Sequence, residues 1–201
     1  MDTAMKSAMK QVARERSHMV AVRHAFAAAL NAQPKPESIG AFYGACVDYL
    51  DFIMERFRKQ DRTTAHLILS RIPDSRPEHK AQVAQTLAGI DASEREMAAL
   101  KMAAEKFRAE GQSGQAAFEA AGRHFVDYFT SHLSKLKHAT RPLSEEFLKP
   151  GEFERSCFVT EASIVREQDL FAAVESARPP SVPLDVAYET QHWRGEQVDP
   201  R

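Results

Sequence analysis

From the N-terminus to about Thr140, apolar residues recur at steps of three, four or seven, the spacing that lines up one face of an α-helix. Between Ala4 and about Ala32 the stripe is Met5, Met9, Val12, Met19, Val22, Phe26 and Leu30, which predicts a first helix. Pro34 and Pro36 stop it, because proline has no backbone N–H to donate, and Ser38 is placed to cap the helix that follows. That second helix is predicted from about Ile39 to Ser70 on Phe42, Cys46, Leu50, Ile53, Phe57, Thr64 and Ile68. The turn-forming run Ile72-Pro73-Asp74-Ser75-Arg76-Pro77 ends it. A third helix is expected from about Glu78 to Ala109 on Val83, Leu87, Ile90, Met97 and Lys101, with Gly111 and Gly114 marking its end. A fourth takes about Gln115 to Thr140 on Phe118, Ala121, Phe125, Phe129, His132, Leu136 and Ala139.

Four long helices joined by connections of a few residues predict an all-α, up-down-up-down four-helix bundle. Beyond Pro142 the pattern changes to short helices near Leu143–Leu148 and Thr160–Glu175, followed by Ala177-Arg178-Pro179-Pro180-Ser181-Val182-Pro183, which resists regular structure. Residues 1–148 are therefore read as the bundle. Residues 149–201 are read as a C-terminal extension packed on it or on a neighbouring chain, with Trp193 as its anchor.

Composition narrows the picture. At 201 residues the chain can close one hydrophobic core without disulfides, and its 8 glycines and 8% aromatics disfavour a turn-rich β architecture. The 27 basic and 28 acidic residues are interspersed and leave a net charge of -1, so no field is available to hold nucleic acid or an anionic membrane. No run approaches the roughly 18 apolar residues of a membrane span, and Asp2, Lys6 and Lys10 interrupt any export signal, so a cytoplasmic location is expected. Cys46 and Cys157 lack metal or redox spacing and read as small buried hydrophobes. A homodimer is the expected assembly only because symmetric dimers are the commonest kind.

Ionisable residues in the apolar register carry the chemistry, because a charge in a helical core must be matched, neutralised or bound to a cation. On this ground His18, Asp61, Glu94 and His132 form a candidate ligand set, one from each predicted helix. Two imidazoles and two carboxylates suit a first-row transition metal held in a bundle core. Each residue has a plainer reading as a core group hydrogen-bonded to protein, the commoner fate of a buried polar side chain. Arg58 and Lys135 lie near enough in sequence to pair with Asp61 or Glu94 instead of a metal.

The segment Tyr49-Leu50-Asp51-Phe52-Ile53-Met54-Glu55-Arg56-Phe57-Arg58-Lys59-Gln60-Asp61 resembles the second helix of hemerythrin-like (HHE cation-binding) proteins. His132-Leu133-Ser134-Lys135-Leu136-Lys137, followed by Arg141-Pro142-Leu143, resembles their fourth. The likeness runs from roughly Ala13 to Leu148 and implies a four-helix bundle around a carboxylate-bridged di-iron centre. Mapped onto that pattern, His18 and His132 match two iron ligands, while Phe57, Asp61, Glu94 and Leu136 stand where the family has His, Glu, His and Glu.

The expectation that follows is a degenerate site binding a single metal ion, iron being the metal the resemblance implies, or a small ligand, for sensing or storage. Beside it stand a metal-free bundle serving as a protein-interaction or regulatory module, and a di-iron or haem protein handling O2, NO or peroxide. For the haem version, His18 and His132 would be the axial ligands, with Phe57, Phe125 and Phe129 lining the pocket.

Overall fold

The computed structural model describes residues 3–36, 39–149 and 151–186, and among these the chain is all helical. Ser38 and Trp193 lie outside the described residues. Helices α1 (Thr3–Asn31), α2 (Ile39–Leu69) and α3 (Pro77–Glu110) fall within a residue or two of the spans that the apolar pattern predicts. Pro77 opens α3 at its first turn, where a missing N–H costs nothing. Gly111 separates α3 from α4 (Gln112–Tyr128) with a φ of 62°, a left-handed value that a residue with a Cβ adopts only at a cost, and its N–H caps Phe107 O at 2.8 Å.

The predicted fourth helix departs from expectation. After α4 the backbone passes through a π-helical turn at Phe129–Leu133 and continues as α5 (Ser134–Phe147), so Pro142 lies inside a helix instead of ending it. Pro142 is on the exposed side, where water can satisfy the carbonyl that loses its N–H partner. Two further helices follow, α6 (Glu152–Arg155) and α7 (Glu161–Ala177). The run from Arg178 to Val186 is not helical.

Neighbouring long helices pack on one another, α1 on α2, α2 on α3 and α3 on α4, and α1 also meets α4. Helix α7 lies across α2 and α1. One core joins all of these: Phe26, Phe42, Tyr43, Leu50, Ile53, Met97, Phe118 and Phe125 are fully buried, and Cys157, Phe171, Val174 and Val182 of the C-terminal segment belong to the same cluster. At about 1.5–3 kcal/mol for each large apolar side chain removed from water, this burial is the main force holding the helices together. A smaller cluster of Ala65, Ile68, Ile72, Val83 and Leu143 joins α2, α3 and α5.

The C-terminus of α1 has no basic residue of its own in its last turn, and cations from elsewhere cap it. Lys35 Nζ donates to Ala29 O (3.0 Å) and Leu30 O (2.8 Å), and Arg123 Nη1 donates to Leu30 O (3.0 Å). Among the described residues no helix is long and apolar enough to cross a membrane.

Candidate functional site: a buried ionic core between α1, α2 and α7

On α1 the inward stripe is Val12, Glu15, His18, Val22, Ala25 and Ala29, so a carboxylate and an imidazole one helical turn apart face the interior, with Glu15 0% and His18 3% exposed. Helix α2 contributes Tyr49, Arg56 and Gln60 on one face. Helix α7 contributes Glu167, which lies one turn before Leu170 and Phe171 and is fully buried.

These groups pair with one another in part. Arg56 Nη2 pairs with Glu15 Oε2, and Arg56 Nη1 donates to the carbonyl of Cys157 at 2.8 Å. Gln11 Nε2 donates to the other Glu15 oxygen at 3.0 Å. Glu167 Oε1 accepts from His18 Nδ1 at 2.8 Å and from the Tyr49 hydroxyl at 2.9 Å. The His18 ring stacks on Phe171 with centroids 3.9 Å apart and planes 9° from parallel, which holds the imidazole edge toward Glu167. Glu167 Oε2 and Gln60 Oε1 are buried with no hydrogen-bond partner among the described residues.

The charges follow from the burial. Burial pushes the Arg56 guanidinium below its ordinary value, against the attraction of Cys157 and Glu167, yet a guanidinium keeps its proton at any physiological pH. Arg56 is therefore a fixed cation facing two buried carboxylates. The Tyr49 phenol is pushed well up, first by burial and then by Glu167, so it remains a donor. Cys157 lies at the edge of the cluster, where Gln60 Nε2 approaches its sulfur at 3.3 Å. Burial raises that thiol to about 11 despite the pull of Arg16 and Arg56, which makes it a poor nucleophile at neutral pH.

The predicted ligand set does not assemble. Only His18 enters this core. Asp61 is half-buried and faces Arg16. Glu94 lies on the surface, its side chain 61% exposed, and shares Arg62 with Asp91 at 3.1 and 2.8 Å. His132 is exposed and rests against the Tyr128 ring. Among the described residues no three His, Cys, Asp or Glu side chains come together as a group that could hold a metal ion. The donor set expected from the hemerythrin-like resemblance thus does not fit a bridged di-iron centre here. Nor do His18 and His132 approach as a pair of haem ligands, one being in the core and the other on the surface.

Each displacement has a local cause. In α3 the buried residue after Ile90 is Ser93, three positions on, and Glu94, four positions on, turns outward. In the fourth helix a plain α-helix would put His132 in line with Phe125, seven residues earlier. The π-turn spends one extra residue per turn, so Leu133 takes the inward position instead. Arg58, expected as a partner for the site acids, is buried at 8% exposure and feels Glu94, Asp51 and Glu55, while Lys135 is exposed.

Sequence reasoning missed Glu15, Tyr49, Arg56 and Glu167. Glu15 could have been found, since it is in step with both Val12 and Val22, and so could Glu167, in step with Leu170, Phe171 and Val174. Arg56 is in step with Tyr49 and Ile53, but its partners, Glu15 of α1 and the Cys157 carbonyl, lie far away in sequence. No protein-family model matches the chain, and no curated protein or solved structure matches it.

Proposed function

We propose that this chain is a metal-independent interaction module: a divergent hemerythrin-like, up-down-up-down four-helix bundle whose core is neutralised by its own side chains. The observation that carries the reading is the position of Arg56. Its guanidinium contacts the Glu15 carboxylate and is attracted by that of Glu167, one oxygen of which also accepts from His18 and Tyr49. A fixed organic cation among buried acids supplies the charge that a metal ion supplies in a carboxylate-rich bundle. Binding is favoured over catalysis because the groups that could do acid–base or nucleophilic work, Glu15, His18, Cys46, Cys157 and Glu167, are all buried at 3% exposure or less.

The test uses protein purified without chelators. Elemental analysis should find metal well below one equivalent per chain, and thermal unfolding should give the same Tm with and without a chelator. One bound equivalent, together with a Tm that falls on chelation, would overturn the reading.

A further inference from the structure

Helix α7 enters the ionic core with a single charged side chain. Glu167 is fully buried, and its Oε1 receives donors from two different helices, His18 Nδ1 of α1 at 2.8 Å and Tyr49 OH of α2 at 2.9 Å, with the Arg56 cation nearby. Without Glu167, α1 and α2 would present an imidazole N–H and a phenol O–H toward one point with no acceptor there, while Arg56 stays engaged with Glu15 and the Cys157 carbonyl close by. Two fixed donors converging on one point, in the field of a nearby cation, are the composition of a carboxylate receptor. Its other oxygen, Oε2, has no hydrogen-bond partner among the described residues, so the glutamate fills this receptor only in part.

The rest of α7 has the character of a separable element. Its first turn is closed by its own residues, Thr160 Oγ1 accepting from Ser163 N–H at 3.1 Å and Ser163 Oγ accepting from Thr160 N–H at 2.9 Å, so its N-terminal capping takes no group from α1 or α2. Its buried apolar anchors are Leu170, Phe171 and Val174, while Ala162, Val165, Arg166 and Asp169 face outward. Burying a carboxylate beside an imidazole recovers little net free energy, so this contact sets the register of docking more than its strength.

We propose that α1 and α2 form a carboxylate-binding site in which Glu167 is the ligand supplied in cis, with α7 as a displaceable latch over it. This rests on the reading of the ionic core given above. The carboxylate that competes in trans comes either from a small free acid or from an acidic side chain on an amphipathic helix.

The experiment uses full-length Glu167→Ala and measures Tm in acetate or formate against chloride at matched pH and ionic strength. A saturable rise is expected, as for any ligand that binds only the folded state. The rise should be absent in the unsubstituted protein and lost in Tyr49→Phe/Glu167→Ala. A synthetic peptide of residues 160–178 is tested on the same variant, beside a peptide carrying Glu167→Ala. A response to acetate assigns the site to small acids, and a response only to the glutamate-bearing peptide assigns it to a helix-borne carboxylate. No response to either overturns the proposal. Should Glu167→Ala not fold, Glu167→Gln takes its place: a site that reads carboxylate requires a lower Tm than the unsubstituted protein, and an equal Tm overturns it. Metal content of the same preparations tests the reading of the preceding subsection independently.

Discussion

Arg71 and Glu152 illustrate how much one pair of side chains fixes in this molecule. The guanidinium, in the turn just after α2, makes two parallel bonds to the carboxylate, Nη1 to Oε2 at 2.6 Å and Nη2 to Oε1 at 2.7 Å, and Nη1 also reaches Phe147 O at 2.8 Å. The Lys149 N–H donates to Oε2 at 2.7 Å, so the turn between α5 and α6 is tied to α2 through one carboxylate. Arg71 first, and the Lys149 N–H second, hold the Glu152 carboxyl down at about 2, below its ordinary 4.5. Because the folded value is depressed, the contribution of this pair is complete above about 4.5 and is lost as pH falls through about 2. A carboxyl-carbon NMR titration should place the Glu152 midpoint near the lower value, and Arg71→Ala should return it most of the way to the upper one. An unchanged midpoint in that variant would rule out Arg71 as the cause.

A second group at this scale, Glu119, is pulled in opposite directions. Burial, the largest single influence, raises its carboxyl, but donors from Gln115, Lys35 and Tyr43 together outweigh burial and keep it below its ordinary value. Glu119 thereby holds Lys35 in place, and Lys35 caps α1. Neither pair was legible in the sequence, since each joins residues far apart along the chain whose meeting depends on how the helices pack.

Between elements, backbone comes close to backbone at the corner joining α3 and α4. A Cβ at Gly114 would lie 3.0 Å from Phe107 Cα and 3.3 Å from Lys106 O, both backbone atoms with little room to move. In an open helix, replacing glycine by alanine stabilises by about 1 kcal/mol. Here crowding of about 1–3 kcal/mol opposes that gain. Gly114→Ala is therefore expected to lower stability in a denaturant melt, and a gain in stability would show that the corner has slack.

The helices themselves were readable because long apolar stripes and proline breaks are local signals, and α1, α2, α3 and α7 fall close to their predicted spans. What defeated the reading was phase. A step of three or four residues from Ile90 decides between Ser93 and Glu94, and the π-turn at Phe129–Leu133 exchanges His132 for Leu133. An error of one residue on a helix rotates a side chain by about 100°, enough to move it from core to solvent. The four candidate ligands depended on phase in four helices at once, and only His18 kept its place in the core.

For the molecule as a whole, the C-terminal segment completes the core. Phe171, Val174 and Val182 join the main cluster, and Glu167 closes an ionic network begun by Glu15, His18, Tyr49 and Arg56. Sequence patterns assign α7 to an appendage because its apolar face is short, and Arg56 reads as a surface residue until α1 and the segment carrying Cys157 close on it. The central claim, that a side chain supplies the cation of this core, places its whole weight on Arg56. Chemical denaturation of Arg56→Met tests it most directly. Stranding the buried Glu15 carboxylate should cost about 3–5 kcal/mol, and adding Glu15→Gln to the same chain should recover a large part of that loss. If Arg56→Met were as stable as the unsubstituted protein, or if the double variant recovered nothing, the core would not be held by its own guanidinium.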